Sequence, residues 1–169
     1  ENKNPLFDAI SNGCYHIEIG FHIVDDELIV SHDKPDGENL NTIEELYIYP
    51  LRELMMKNQG SVLKNATEPI TFMLDIKGDS EETYNLLKEK FMPYKDYISR
   101  IENGKFIKGY IRFFISGNRP VQTIMEDDLQ MFGIDGRPDL LEKGISSDIC
   151  PVISESWSNI IDWNGEGDI

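Results

Sequence analysis

Residues 15–33 read YHIEIGFHIVDDELIVSHD, and this stretch decides how the fold is predicted. Apolar and polar residues alternate over 15–23, which is the pattern of a β-strand with one buried face. Two acidic residues, Asp25 and Asp26, are typical of a tight turn, and the apolar segment 27–32 follows them directly. The stretch therefore predicts a β-hairpin.

Ionisable side chains share one face of the first predicted strand. Because side chains alternate with a period of two along a strand, this face carries His16, Glu18, Gly20 and His22. A further histidine, His32, ends the second predicted strand. Imidazoles grouped with a carboxylate suit metal binding or acid–base catalysis. The hairpin is therefore also the first candidate for a functional site.

The remainder of the chain alternates between predicted strands and helices. Capping and proline signals predict helices that begin at Asn4-Pro5, Thr42 and Ser80, the second of them interrupted at Pro50. The predicted strands cover 15–23, 27–32, 69–77, 107–116, 131–135 and 150–154. This alternation predicts a parallel sheet covered by helices, in a single α/β domain over residues 1–169.

Polar residues stand at the carboxyl ends of most of these strands. They are His32-Asp33, Asp75-Lys77, Ser116-Asn118, Asp135-Arg137 and Ser154. In α/β folds, the C-terminal strand ends and the loops after them form the active site. We therefore expect these positions to contribute to one shared site.

The composition limits the partners of the protein. Its 169 residues carry a formal net charge of −15, from 31 acidic and 16 basic residues. Nucleic acid and anionic membranes are therefore not expected partners, because phosphates are bound by clusters of Lys and Arg. No apolar run is long enough for a transmembrane helix. The chain starts at Glu1, which predicts a processed or shortened N-terminus; a secreted or periplasmic location is favoured, and the oligomeric state stays open.

Six segments, in the order in which they occur, resemble one protein family. They are IEIGFHIVDDELIVSHD, TIEELYIYPL, FMLDIK, FFISGNRP, DGRPDLL and PVISESW. The set resembles phosphatidylinositol-phospholipase-C-like phosphodiesterases of the glycerophosphodiester phosphodiesterase superfamily, most closely the altered-inheritance-of-mitochondria type and its bacterial relatives. The resemblance covers most of residues 4–165. It implies a (β/α)₈ TIM-barrel-like fold, present here as an incomplete barrel that lacks the first and the last strands.

The resemblance also implies an activity and the residues that perform it. The implied activity is metal-assisted hydrolysis of a phosphoric diester, with a glycerophosphodiester or a phosphoinositide-like head group as the substrate. His32 would be the catalytic histidine, acting as general acid or base. Glu18 and Asp75 would bind a divalent cation, Ca²⁺ or Mg²⁺, and Lys77 would offer a positive charge to the phosphate.

Two further polar residues are candidates for substrate binding. Asn118 and Arg119 follow a predicted strand end, where an amide and a guanidinium can contact an anionic substrate. The alternative for Asn118 is a turn residue, and for Arg119 a surface or structural residue.

Two departures from the family pattern keep other functions open. Gly20 stands where the family's Glu-x-Asp motif has its aspartate, and His22, on the same face, is a candidate replacement ligand. The family's first histidine lies in a His-Asn-Asp-Tyr-like segment before Asn4, and residues 1–3 do not contain it. One alternative is therefore a catalytically inactive phosphodiesterase-like domain that binds a ligand or partner, and another is an unrelated open α/β binding module.

Overall fold

The computed structural model describes residues 3–37, 40–64 and 66–160. The strands of this part of the chain are β1 (His16–Val24), β2 (Glu27–Val30), β3 (Ile70–Ile76), β4 (Arg100–Glu102), β5 (Lys105–Ile107), β6 (Ile111–Gly117), β7 (Leu129–Gln130), β8 (Phe132–Gly136) and β9 (Val152–Ile153). The helices are α1 (Pro5–Ser11), α2 (Tyr49–Lys57), α3 (Ser80–Phe91), α4 (Val121–Glu126), α5 (Pro138–Glu142) and α6 (Trp157–Ile160), with a π-helix over Glu44–Ile48 and a 3₁₀ helix over Met92–Tyr97.

The main sheet has six strands in the order β2-β1-β3-β6-β8-β9. Only the β1–β2 hairpin is antiparallel; the other neighbours pair in parallel. The predicted α/β class, with a mostly parallel sheet and helices between the strands, is confirmed. The described strands leave the sheet open at β2 and β9, so a closed barrel stays a prediction. None of the helices in the described ranges is long and apolar enough to cross a membrane.

One face of the sheet packs against the helices and holds the core. Burial alternates along β3, where Ile70, Phe72, Leu74 and Ile76 are buried and the residues between them are half-buried. Three phenylalanine rings from neighbouring strands lie side by side on this face. The ring centroids of Phe72 and Phe113 are 5.4 Å apart, and those of Phe113 and Phe132 are 5.9 Å apart. Such aromatic contacts add to the free energy gained by burying apolar surface.

Several local predictions are confirmed by the backbone and its hydrogen bonds. Asp25 and Asp26 both have positive φ angles, as the tight turn between β1 and β2 requires. Thr42 and Glu45 form the predicted capping box. The Glu45 amide donates to the Thr42 hydroxyl at 3.2 Å, and the Thr42 amide donates to the Glu45 carboxylate at 3.1 Å.

Other local predictions were wrong in position. The side chain that caps α3 is that of Asp79, which accepts a hydrogen bond from the Glu82 amide at 2.9 Å, and Ser80 is the first helical residue. The predicted strand 107–116 divides into β5 and β6. A Cβ atom on Gly109 would collide with the backbone of the segment before β4, so this glycine permits the close approach that breaks the strand. β5 belongs to a separate sheet of order β5-β4-β7.

The interruption predicted at Pro50 takes the form of a π-helix. Pro50 has no N–H, and its ring crowds the carbonyl of the residue four positions earlier in a regular α-helix. The helical turn before it is widened, and the Tyr49 amide donates to the Glu44 carbonyl, five residues back. The widened turn contains Leu46 and Tyr47.

Gly117 connects the fold to the polar end of the sheet, and its replacement is a test of the structure. Gly117 has φ +66°, and a Cβ atom there would collide with Asp75 Oδ1 and with the Ile76 carbonyl oxygen. Gly144 has nearly the same backbone, φ +67°, but nothing lies within 4 Å of its Cβ position. We expect Gly144→Ala to lose about 1 kcal/mol of unfolding free energy, the cost of a left-handed backbone.

Gly117→Ala should lose about 2 kcal/mol more than Gly144→Ala, because it adds a steric clash to the same backbone cost. Urea unfolding of the two variants and the unaltered chain measures both losses. Equal losses would contradict the close packing of Gly117 against Asp75.

Candidate functional site

The parallel register places one position from each of four strands in a row across the sheet. Gly20 of β1 lies opposite Asp75 of β3, and Asp75 lies opposite Ser116 of β6. The Ser116 hydroxyl donates a hydrogen bond of 2.7 Å to Asp135 of β8. The row lies near the carboxyl ends of the strands, on the face away from the aromatic core. Three predicted strand-end groups are therefore neighbours.

An open pocket of about 570 Å³ lies at the β1 end of this row. Its lining includes three of the residues predicted from the sequence, Glu18, His32 and Asp75, together with Gly20. They converge because β1 and β3 pair in parallel and because the chain leaves β2 beside Gly20, where the Ser31 amide donates to the Gly20 carbonyl at 3.0 Å. The pocket therefore brings one imidazole together with two carboxylates.

Lys77 and Asp75 form an ion pair at the carboxyl end of β3. The distance from Lys77 Nζ to Asp75 Oδ2 is 2.5 Å. The hydrogen bond to Asp75 raises the pKa of Lys77; partial burial opposes this rise, and the charges of Asp75, Glu18 and Asp33 add to it. Lys77 therefore stays positively charged, in contact with Asp75 and under the influence of the charges of Glu18 and Asp33.

His32 is the most exposed of the converging residues. Its side chain is 88% exposed, and Nδ1 lies 3.3 Å from Asp33 Oδ1, a carboxylate that is also exposed. The structure therefore places His32 on the rim of the pocket, with its ring open to solvent and to a substrate. This position permits proton exchange with water.

The structure separates His22 from the other predicted metal ligands. His22 is not among the residues that line the pocket, and its Nε2 is buried without a hydrogen-bond partner among the described residues. Within the described ranges, no group of three His, Cys, Asp or Glu side chains is placed to hold a metal ion. The ligand roles predicted for Glu18, Asp75 and His22 stay predictions.

Asn118 and Arg119 both make structural contacts. The Asn118 side-chain amide donates to the Gly78 carbonyl at 2.8 Å, which connects the loops after β3 and β6. Arg119 donates from one terminal nitrogen to the Asp135 carbonyl, and its Nε is buried without a partner among the described residues. Burial and the neighbouring Arg137 lower the pKa of Arg119. Their predicted contacts with substrate stay predictions, and both side chains are already held by backbone carbonyls.

A buried carboxylate network at the other end of the row is larger than the sequence indicated. Asp135 is almost fully buried, and its carboxylate accepts hydrogen bonds from Ser116 at 2.7 Å, from Ser154 at 2.8 Å and from Arg137 at 3.0 Å. Burial alone would raise the pKa of Asp135, but the bonds from Ser116, Ser154 and Arg137 outweigh it and lower the pKa. The network holds β6, β8 and the segment after β9 together.

Tyr47 is a pocket residue that the sequence patterns did not reveal. Its ring is buried against Phe72, with centroids 6.3 Å apart, and it lines the pocket beside Glu18. No hydrogen bond among the described residues involves the Tyr47 hydroxyl, and burial raises its pKa. It therefore offers a neutral donor to a ligand. In the sequence Tyr47 is spaced as an apolar helix position, four residues after Ile43, which indicates burial and does not indicate a pocket.

Comparison with known proteins identifies one family. A family model described as the AIM6-like phosphodiesterase domain matches residues 1–132. A similar protein is an altered inheritance of mitochondria protein 6 homolog from Arthroderma benhamiae, 24% identical over 168 residues that cover 90% of this chain and 53% of the relative. Another is altered inheritance of mitochondria protein 6 from Candida glabrata, 31% identical over 121 residues, 60% of this chain and 29% of the relative.

The chain spans about half the length of the first of these curated relatives and less than a third of the second. No solved structure matches it significantly. The fold and the site described above therefore rest on this chain's own geometry.

The Asp135 network gives a prediction about stability and pH. A carboxylate whose pKa is lowered by folding stabilises the protein above its unfolded pKa of about 3.9, and this contribution is lost as the pH falls through the lower, folded value. Asp135→Asn should lower the free energy of unfolding by about 2–3 kcal/mol at neutral pH, since it removes a buried, hydrogen-bonded charge.

The difference between the Asp135→Asn variant and the unaltered chain should shrink as the pH falls below about 4, where Asp135 becomes protonated first in the unfolded state and then, at lower pH, in the native state. Urea unfolding across an acidic pH series measures it. Asp128→Asn, at an exposed carboxylate, is the matched control and should change little. A difference that grows with acidity would contradict the lowered pKa of Asp135.

Proposed function

Because the chain belongs to the AIM6-like phosphodiesterase domain family, we propose that it hydrolyses a small phosphodiester, a glycerophosphodiester or a phosphoinositide-like head group. The observation that carries this proposal is the convergence of Glu18, His32 and Asp75 on one open pocket, with Lys77 paired to Asp75 beside it. An ammonium and an imidazole within reach of one cavity suit a reaction in which negative charge develops on phosphate oxygens.

In the proposed reaction, water or a neighbouring substrate hydroxyl attacks phosphorus, and the bond from phosphorus to the leaving alcohol oxygen breaks. Lys77 binds a non-bridging phosphate oxygen and neutralises part of its charge. His32 donates a proton to the leaving oxygen or takes one from the nucleophile, since its rim position lets it exchange protons with solvent. Products are an alcohol and a phosphomonoester, or a cyclic phosphodiester when a substrate hydroxyl attacks.

A divalent cation, Ca²⁺ or Mg²⁺, is implied by the family resemblance. Oxygen ligands suit such ions, and Glu18 and Asp75 are the two carboxylates at the pocket that would provide them. The donor set does not fit a cation well, because Gly20 supplies no ligand and Asp75 already pairs with Lys77. The reaction above therefore contains no step through a metal ion.

The proposal that the fold is an incomplete (β/α)₈ barrel is supported by one edge of β1, part of which pairs with no described strand. Residues 21–24 of β1 pair with β2, whereas residues 16–19 face no other strand on that side within the described ranges. The pocket lies along this free edge and is also lined by Pro5, the first residue of α1. Parallel strands are usually joined by a helical crossover, so α1 is suited to connect a preceding parallel strand to β1.

A second candidate function is a domain that binds a phosphodiester or a partner without cleaving it. The limited donor set around Gly20 and the exposed position of His32 favour it. Hydrolysis assays combined with calorimetric titration of a glycerophosphodiester separate the two functions. Binding without any product would favour the binding domain, and turnover would favour the enzyme.

His32→Ala tests the acid–base role. We expect the variant to lose hydrolysis of a glycerophosphodiester by about 10²–10⁴-fold, the usual contribution of a general acid or base. The assay is release of the product alcohol at saturating substrate. His16→Ala changes an exposed histidine near the opposite end of β1 and is the matched control, with activity unchanged. Full activity in the His32 variant would contradict the assignment.

Tyr47→Phe tests the pocket hydroxyl. The ring still packs on Phe72, so we expect an unchanged Tm and a KM about 10-fold higher, the effect of one lost hydrogen bond to a charged ligand. Steady-state kinetics and a thermal melt provide both measurements. Tyr49→Phe removes an exposed hydroxyl on the next turn and is the control. An unchanged KM in the Tyr47 variant would show that the hydroxyl does not contact the substrate.

A further inference from the structure

A basic side chain, that of Lys77 directly after β3, lies close to the Gly20 position of β1. Gly20 follows Glu18 on the same face of β1 and has no side chain to offer as a ligand. An ideal Cβ atom built on Gly20 would lie 3.3 Å from the Ser31 carbonyl oxygen, 3.5 Å from Cε of Lys77 and 3.9 Å from Cα of His32. The Lys77 stem is therefore within van der Waals contact of a side chain placed at residue 20.

Asp75 has little capacity left for a metal ion. One of its carboxylate oxygens, Oδ2, pairs with Lys77 Nζ at 2.5 Å. The other, Oδ1, lies against the bare Cα of Gly117, where a Cβ atom would collide with it. A divalent cation that used Asp75 would have to displace the ammonium or share the carboxylate with it, and the two positive charges would repel each other.

Three carboxylates surround the Lys77 ammonium: Asp75, which pairs with it, and Glu18 and Asp33, whose charges act on it. Asp33 has its own basic neighbour, His32, at 3.3 Å. Lys77 is thus the basic neighbour of Asp75, and His32 is that of Asp33. Glu18 has no ion-pair partner among the described residues.

We propose that the Lys77 ammonium takes the place of a divalent cation at this site, so that the chain binds its anionic ligand without Ca²⁺ or Mg²⁺. The inference rests on the proposed function for the identity of the ligand, but its basis is the geometry of Gly20, Asp75 and Lys77. The ammonium donates hydrogen bonds to a phosphate oxygen and supplies the positive charge that a metal ion supplies elsewhere. No additional reactant is required.

Calorimetric titration with CaCl₂ and with MgCl₂ tests the inference without an activity readout. The unaltered chain should show no saturable binding up to about 1 mM, the weak end of natural calcium sites. The double variant Gly20→Asp with Lys77→Ala should bind Ca²⁺, since it has three carboxylates, at positions 18, 20 and 75, and no ammonium. Gly20→Asp alone is the matched control and should not bind, because Lys77 pairs with the new carboxylate.

Saturable binding of either ion to the unaltered chain, abolished by Asp75→Asn, would overturn the inference. So would a folded double variant, verified by circular dichroism, that fails to bind Ca²⁺, because Lys77 would then not be what excludes the ion. If the double variant does not fold, hydrolysis by the unaltered chain decides, and loss of turnover in EDTA would overturn the inference. A chain without hydrolytic activity that passes the calorimetric tests would refute the proposed function and leave this inference standing.

Discussion

The in-register parallel pairing of β1, β3, β6 and β8 is the constraint on which both the core and the site depend. On one face it stacks Phe72, Phe113 and Phe132, and on the other it aligns the polar row. A slip of one residue in β3 would exchange these faces and bury Asp75 among the rings. An unpaired charge in an apolar core costs several kcal/mol, so the aromatic face fixes the position of the polar one.

The two carboxylates of the row are held in opposite ways. Asp135 is almost fully buried and accepts bonds from two hydroxyls and a guanidinium, so its charge is satisfied within the protein. Asp75 lines the pocket and has one basic partner, Lys77, whose side chain is partly exposed. A satisfied buried carboxylate stabilises the structure, whereas a partly exposed ion pair can exchange its partner for a ligand. The same register therefore produces one end of the row, at Asp135, that stabilises the fold, and another end, at Asp75, that is open to a ligand.

Local patterns predicted the elements whose stability is local. The β1–β2 turn follows from two adjacent aspartates, and the start of the π-helix follows from the reciprocal bonds of Thr42 and Glu45. The small sheet of β4, β5 and β7 was not predicted, because its strands have two or three residues and no periodicity can be read over that length. Its pairing depends on contacts between distant segments, which sequence patterns do not report.

The residues of the candidate site differ in the same way, because some of their contacts are local in the sequence and others join distant segments. Asp75 lies on β3 and Lys77 follows its last residue directly, so the period of two places them on the same face and their pairing follows from the sequence. The partners of Asp135 include Ser154, nineteen residues away on another segment, and only the order of strands brings them together. Helical spacing places Tyr47 on the same apolar face as Ile43, but it does not show that this face also borders a pocket. A site built along one strand can therefore be predicted from the sequence, whereas a site assembled across elements requires the topology first.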